Sequence, residues 1–362
     1  MGTVLRNMKR LDGSAVDIVI DGGKITAIVP PGTGEGEVVA EGGYVSGGWI
    51  DMHVHAFREL KPYGDAIDEI GVKQGVTTIV DAGSCGADRI GELRAAGERA
   101  ATRLLAFLNI SRIGLARIDE LSDPAWIDEN AVREALLAYP DFIVGLKARI
   151  SRSVVKEQGI EPLRRARRFS EATGLSLMVH IGSGPPAIDE VMALLARGDI
   201  VTHYLNGKAN NLFDEQGHPL AALVDAVARG VHLDVGHGSA SFSFRVAEQA
   251  RAAGLPLHTI STDIYESNRL RGPVYSLADV MSKFLYLGYS LQEVVGAVTV
   301  NAAQWLGRPE LGELKVGGAA DLTLFDVMRG SKTLVDSEGE TRTADTYIQA
   351  KGAVIDGSYF AC

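Results

Sequence analysis

An α/β fold, a (β/α)8 TIM barrel carrying a small β-sandwich domain built from both chain termini, is the architecture the sequence predicts. Three observations predict it. Between about Gly48 and Arg308, eight short apolar runs alternate with amphipathic helical stretches, the pattern of parallel βαβ units. Segments rich in β-formers stand at both ends of the chain. No G-x-G-x-x-G follows a predicted strand, which disfavours the runner-up, an open doubly wound sheet. The length of 362 residues suits this reading, since one barrel absorbs ~250 residues. With 46% apolar and 23% charged residues, the chain is not disordered.

The elements follow in order. Val16–Ile20, the turn Asp21-Gly22-Gly23 and Lys24–Val29 read as a hairpin, and Val38–Val45 adds a strand. The barrel strands are Trp49–Val54, Thr77–Val80, Leu104–Leu108, Phe142–Leu146, Leu175–Val179, Ile200–Thr202, Val231–Val235 and Leu257–Ser261. Helical stretches lie between them, such as Asp88–Arg103, Pro162–Thr173 and Leu220–Arg229. At the far end Gly317–Ala320 leads into Asp321–Phe325, and Thr346–Ala350 and Ala353–Ile355 flank a Lys351-Gly352 turn. Neither terminal β segment buries a core alone. They are expected to pair into one discontinuous domain, residues 1–48 and 309–362, around a barrel at 49–308.

Charge narrows the partners. Lys plus Arg is 36 and Asp plus Glu is 46, a net charge of −10, which argues against nucleic acid. The basic run Arg164–Arg168 reads as a solvated helix face. Met1–Arg10 has no apolar core of a signal peptide, and no run approaches the ~20 residues of a membrane span. The two cysteines, Cys85 and Cys362, suggest no disulfide framework. A cytoplasmic protein acting on a small molecule is expected, with neither nucleic acid nor membrane as partner and self-association left open.

The histidines carry the chemistry. His53 and His55 end the first barrel strand as an H-x-H pair, on one face because a strand has period two. Lys147 ends the fourth strand, His180 the fifth, His203 the sixth and Asp263 the eighth. Parallel strands bring all six side chains to one rim, where barrel enzymes keep their chemistry. A lone strand-end histidine is usually structural, but that reading must here be met on several strands at once. Four imidazoles and a carboxylate read as a transition-metal site, with zinc the usual hydrolytic choice. Beside divalent cations a protonated Lys147 is repelled, so its amine should be neutral. A neutral amine adds carbon dioxide to give a carbamate, whose two oxygens can bridge two metals. The alternative is a lysine paired to a rim carboxylate.

Asp51-Met52-His53-Val54-His55, Lys147, His180, His203 and Asp263 resemble the ligand set of the binuclear metal-dependent amidohydrolase superfamily. The resemblance covers nearly the whole chain. It implies two divalent ions, by preference Zn2+, bridged by a carbon dioxide-derived carbamate on Lys147. His53, His55 and Asp263 would hold the more buried ion, and His180 and His203 the other. A metal-bridging hydroxide would attack, with Asp263 as general acid and base. Lys147–Val155, His203–Asn210, Ser261–Tyr265 and Gly272–Lys283 resemble a dihydroorotase-like group, some of whose members deacetylate small acetylated hydroxy or amino acids. The implied function is a metal-dependent deacetylase cleaving an acyl ester or amide of a small carboxylate-bearing substrate.

Departures shape the alternatives. Dihydroorotases place an Arg where this chain has Phe57, with Arg58 one further on, which weakens cyclic-amide hydrolysis. His180 is followed by Ile181-Gly182-Ser183-Gly184 and not by the Glu of adenosine-type deaminases. Cys85 lies near the metal-ligand cysteine of D-aminoacylases, but those lack the lysine found here at 147. A phosphotriester hydrolase uses the same metals, and a non-catalytic assembly protein would have lost its ligands. For the substrate carboxylate Arg152 is the first choice and Arg149 the fallback, since a guanidinium fork binds carboxylate bidentately. Tyr204 and Asn206 are candidates to orient substrate, and His237, between two glycines, is a second-tier contact. His218, His232 and His258 read as structural.

Overall fold

The computed structural model describes residues 2–362. The chain opens with β1 (Thr3–Lys9), β2 (Ala15–Asp21), β3 (Lys24–Val29), β4 (Glu37–Glu41) and β5 (Tyr44–Gly47). Seven parallel strands follow: β6 (Trp49–Val54), β7 (Val76–Ala82), β8 (Arg103–Asn109), β9 (Ile143–Ile150), β10 (Leu177–Ile181), β11 (Ile200–Thr202) and β12 (His232–Asp234). β13 (Leu322–Val335), β14 (Thr341–Ile355) and β15 (Ser358–Ala361) close it.

The first hairpin forms where the sequence signals it. Asp21 pairs with Lys24, and Gly22 and Gly23 between them take φ of 56° and 73°, the left-handed pair a two-residue turn needs. The end strands join one sheet in the order β15-β14-β13-β5-β1-β2-β3, with β4 beside β1. Leu5, Met8, Ile18, Val45, Leu322 and Leu324 form its core. Lys351-Gly352 is not a turn. Leu324 faces Gly352 and Phe325 faces Ala350, so Lys351 is the extra residue of a bulge inside a continuous β14. The β13–β14 hairpin therefore runs on to a tip at 336–340.

That tip reaches the barrel. Asp336 Oδ2 accepts from Phe244 N at 3.0 Å, and its Oδ1 accepts from Glu338 N and Glu340 N at 2.8 Å each. Ser337 N donates to Phe242 O, and Ser337 Oγ donates to Gly238 O, both at 2.9 Å.

The seven parallel strands run in chain order, β6 to β12. The predicted eighth strand is extended but irregular. It closes the barrel through backbone bonds from Val235 N to Thr259 O and His237 N to Ser261 O on one side. On the other, His55 N donates to Ile264 O and Asp263 N to His53 O. Ile50, Met52, Val80, Phe107, Met178 and Ile200 fill the interior. Val54 packs in the outer layer against the helices, so side-chain parity changes along β6, at the register shift between Asp51 and Val54. Among the described residues no helix is long and apolar enough to cross a membrane.

Candidate metal centre

His53, His55, Lys147, His180, His203 and Asp263 all line one cavity of about 210 Å3 at the C-terminal ends of the barrel strands. β6 brings His53, with His55 just past its end, β9 brings Lys147 and β10 brings His180. His203 directly follows β11, and Asp263 lies on the closing segment. These last two take φ of 71° and 51°, left-handed backbone that side-chain-bearing residues seldom adopt. Such strain persists where the surroundings over-determine it, and it clusters at functional sites. Gly236 and Gly238 show what holds it. A Cβ at Gly236 would lie 2.8 Å from His203 Nδ1, and one at Gly238 would lie 2.5 Å from Asp263 Oδ2. The two glycines let backbone press against these side chains.

Ligand-capable atoms of His53, His203 and Asp263 lie within 4.8 Å of one another. Asp263 Oδ1 is 3.0 Å from His55 Nε2 and 3.5 Å from His53 Nε2. The far side of each ring is tied down. Thr202 donates its hydroxyl to Asp234 at 2.7 Å, so His53 Nδ1 is the donor in its 2.9 Å bond to Thr202 Oγ1. His203 Nδ1 donates to Gly236 O at 2.5 Å. His55 Nδ1 sits 2.8 Å from Ser84 Oγ. For His53 and His203 this fixes the tautomer with a bare Nε2 lone pair, the arrangement of a metal-ligating imidazole. His203 Nε2 is buried and has no hydrogen-bond partner. An orphaned buried acceptor is costly unless something completes it.

Electrostatics agree. Burial, helped by neighbouring positive charge, pushes the His53, His180 and His203 imidazoles well below their usual range, so all three are neutral at pH 7. Burial alone would raise Asp263, but attraction to His53 whenever that ring is protonated, and the hydrogen bond with His55, hold its carboxyl below the usual range and ionised. Burial drives Lys147 down to about 7 against the attraction of Asp263 and Asp234, and its Nζ is 3.2 Å from His53 Nε2. A second layer braces the set. Buried Asp51 accepts from Thr262 N at 3.0 Å and from Thr262 Oγ1 at 2.6 Å, and burial raises its carboxyl to about 7. Neutral imidazoles, an ionised carboxylate and a deprotonatable amine fit a divalent ion.

The substrate candidates fare differently. Arg152 is exposed on a short helix, Arg152–Val155, and does not line the cavity. The fallback Arg149 does line it. The reason is strand length: β9 runs to Ile150, past its predicted end at Leu146, so Arg149 shares the face of Lys147 two residues earlier. Tyr204 is buried at 2% exposure away from the cavity. Asn206 shapes its own loop, donating to His203 O and accepting from Lys208 N. His237 is wholly buried, stacked on Phe242, with Nε2 2.8 Å from Lys283 Nζ. Cys85 does not line the cavity, and burial pushes its thiol far above the usual range, away from the thiolate a metal needs. Sequence reasoning missed Lys208, Tyr63, Tyr265 and Ser239, which all line the cavity. Lys208 had a signal, the Asn206-Gly207 turn that folds the chain back after His203.

Comparison with known proteins fits this site. Residues 314–361 match a family described as a deacetylase-like composite domain. A deacetylase of Enterococcus faecalis is 41% identical across 99% of this chain and 98% of its own length. A deacetylase of Agrobacterium fabrum is 36% identical across 96% of this chain and 87% of its own length. Among solved structures, one titled an adenine deaminase superposes with a TM-score of 0.95 at 40% identity, over 99% of both chains. Another, titled a dihydroorotase, gives 0.91 at 35% identity over 99% of this chain and 98% of that one. With its fold, its rim of histidines and relatives of this identity over nearly full length, the chain belongs to the deacetylase family of the amidohydrolase superfamily.

Proposed function

We propose that the protein is a zinc-dependent deacetylase that hydrolyses the acyl ester or amide of a small carboxylate-bearing substrate, such as an acetylated hydroxy acid or N-acetyl amino acid. The observation that carries the reading is the meeting, in one cavity, of pre-set imidazole lone pairs, the Asp263 carboxylate and the cation of Arg149. His53, His55 and Asp263 would hold one ion and His180 and His203 the other, with Lys147 between them as a carbamate. Six protein donors exceed what one four-coordinate ion takes, which supports two. Bound zinc supplies Lewis acidity and brings the pKa of a coordinated water toward neutrality.

The chain's own residues do the rest. Asp263, ionised and 3.0 Å from His55 Nε2, accepts the proton of the attacking water and returns it to the leaving oxygen or nitrogen. Thr202, Ser84 and the Gly236 carbonyl keep the imidazoles in one orientation. Arg149 orients the acid end.

The test is metal analysis of the purified protein with acetate release from a panel of N-acetyl and O-acetyl acids, both enantiomers. About two zinc ions per chain and turnover of at least one acetylated acid are expected. Ammonia release from adenine without acetate release from any panel member would replace the reading with deamination.

A further inference from the structure

Outside the cavity, the helix Leu277–Tyr286 carries a lysine, Lys283, that is fully buried. Every residue of this helix from Leu277 to Phe284 is buried with it. A lysine in such a place is costly unless its donors are met. Its ammonium has three partners. Nζ donates to Pro273 O at 2.7 Å and to His237 Nε2 at 2.8 Å, and Asp279 Oδ2 lies 3.6 Å away, one turn back on the helix. The direction of the His237 bond is fixed, because Nδ1 of that ring lies 2.9 Å from Gly238 O and must donate to the carbonyl. Burial and the charge of Lys283 hold His237 well below its usual range and neutral. Burial draws Lys283 down to about 8 against the attraction of Asp279, so the amine keeps its proton at pH 7.

His237 matters because of where it stands. It is the middle residue of the turn Gly236-His237-Gly238, and both neighbours touch the candidate ligands. Gly236 O is the acceptor that sets the His203 tautomer, and a Cβ at Gly238 would lie 2.5 Å from Asp263 Oδ2. The backbone of the turn is bonded to the closing segment, His237 N to Ser261 O and Gly238 N to Thr262 O. Its tie to the helix is the His237 side chain. We infer that Lys283 is a positioning residue for the metal centre: by gripping His237 it sets the turn that orients His203 and presses on Asp263. The same helix is joined to the C-terminal hairpin, where Lys332 Nζ lies 2.8 Å from Asp279 Oδ1 and Ile348 N donates to Ser282 Oγ at 2.9 Å. The inference rests on the metal-centre reading and not on the choice of substrate.

The test uses the full chain and two readouts that need no substrate: zinc affinity by chelator competition, and the His203 tautomer of the metal-free protein by nitrogen-15 NMR. The variants are Lys283→Met, the double variant His237→Phe with Lys283→Met, and Lys332→Met, which loses only the outer ion pair of Asp279. The double variant removes donor and acceptor together, so the ring leaves no buried orphan, and it carries the comparison if Lys283→Met does not fold. Zinc affinity should fall by ~10–100-fold in Lys283→Met, and no further in the double variant, since both cut one connection. The metal-free double variant should show both His203 tautomers where wild type shows Nδ1–H alone. On the acetylated acid that wild type cleaves best, the zinc-saturated double variant should lose kcat by ~10–100-fold with KM little changed. Lys332→Met should lower Tm slightly and leave zinc affinity as it is. A folded double variant with wild-type zinc affinity and a single His203 tautomer would overturn the inference. So would an equal loss of zinc in Lys332→Met, which would trace the effect to stability alone. A wild type that binds no zinc would remove the metal reading, and the tautomer comparison would then decide the positioning by itself.

Discussion

The two sides of the cavity are built on different principles. On the ligand side, His53, His55, His203 and Asp263 stand at strand ends, and each imidazole has its far nitrogen engaged by a second residue. On the anion side, Lys208 sits on a loop with a free ammonium. The first side is fixed before anything binds, as catalysis by preorganised groups demands. The second is not tied down by any bond of the lysine side chain among the described residues. The difference teaches where the fold fixes side chains in advance: the histidine rings are tied by neighbours, while the Lys208 ammonium has no ion pair or hydrogen bond among the described residues.

The largest way to test this contrast is Asp263→Asn. It keeps shape and one oxygen donor but removes the base. We expect kcat to fall by ~10²–10⁴ with zinc content largely retained, read from metal analysis and kinetics on one preparation. A metal-replete variant within threefold of wild type would remove Asp263 from its role. Next is Thr202→Val, which deletes the hydroxyl between His53 and Asp234 without touching any donor. Zinc affinity, measured by chelator competition, should weaken by ~10–100-fold. An unchanged affinity would mean that the second layer is passive. Smaller still is Ser337→Ala. It loses the bonds to Gly238 O and from Phe242 N, costing roughly 1–2 kcal/mol, visible as a Tm lower by a few degrees. The smallest effect belongs to Arg152→Ala. Exposed and outside the cavity, it should change kcat/KM by less than about twofold. A larger loss would bring Arg152 back as the carboxylate clamp.

The sequence disclosed the ligand side far better than the anion side, for a physical reason. A strand end is a fixed address: the runs before His53, Lys147, His180 and His203 set which barrel position each reaches. Seven of the eight predicted runs are regular strands. The eighth is irregular where its Asp263 turns left-handed, and the side chains of Thr259, Ser261 and Thr262 bond Asp234 and Asp51. Loop residues have no such address. With a strand ending at Leu146 the sequence points to Arg152, but β9 continues to Ile150 and brings Arg149 to the cavity. Lys208 depends on a turn that Asn206 builds with its side chain, a local bond that periodicity cannot reveal. Lys351-Gly352 failed likewise, since glycine marks a bulge as readily as a turn.

The hairpin tip ties a late-translated part of the chain to the barrel rim. Asp336 and Ser337 hold Phe242, Phe244 and Gly238, and Gly238 presses on Asp263. These bracing residues are translated after every barrel strand has left the ribosome. Domains tend to fold as they emerge, N-terminal parts first. The barrel can thus assemble before the hairpin contacts are available, with Asp263 already held by its bond to His53 O and by Asn268. A nascent chain stalled before position 336 would carry all six rim residues and yet lack the contacts of Asp336 and Ser337 to Phe244, Gly238 and Phe242.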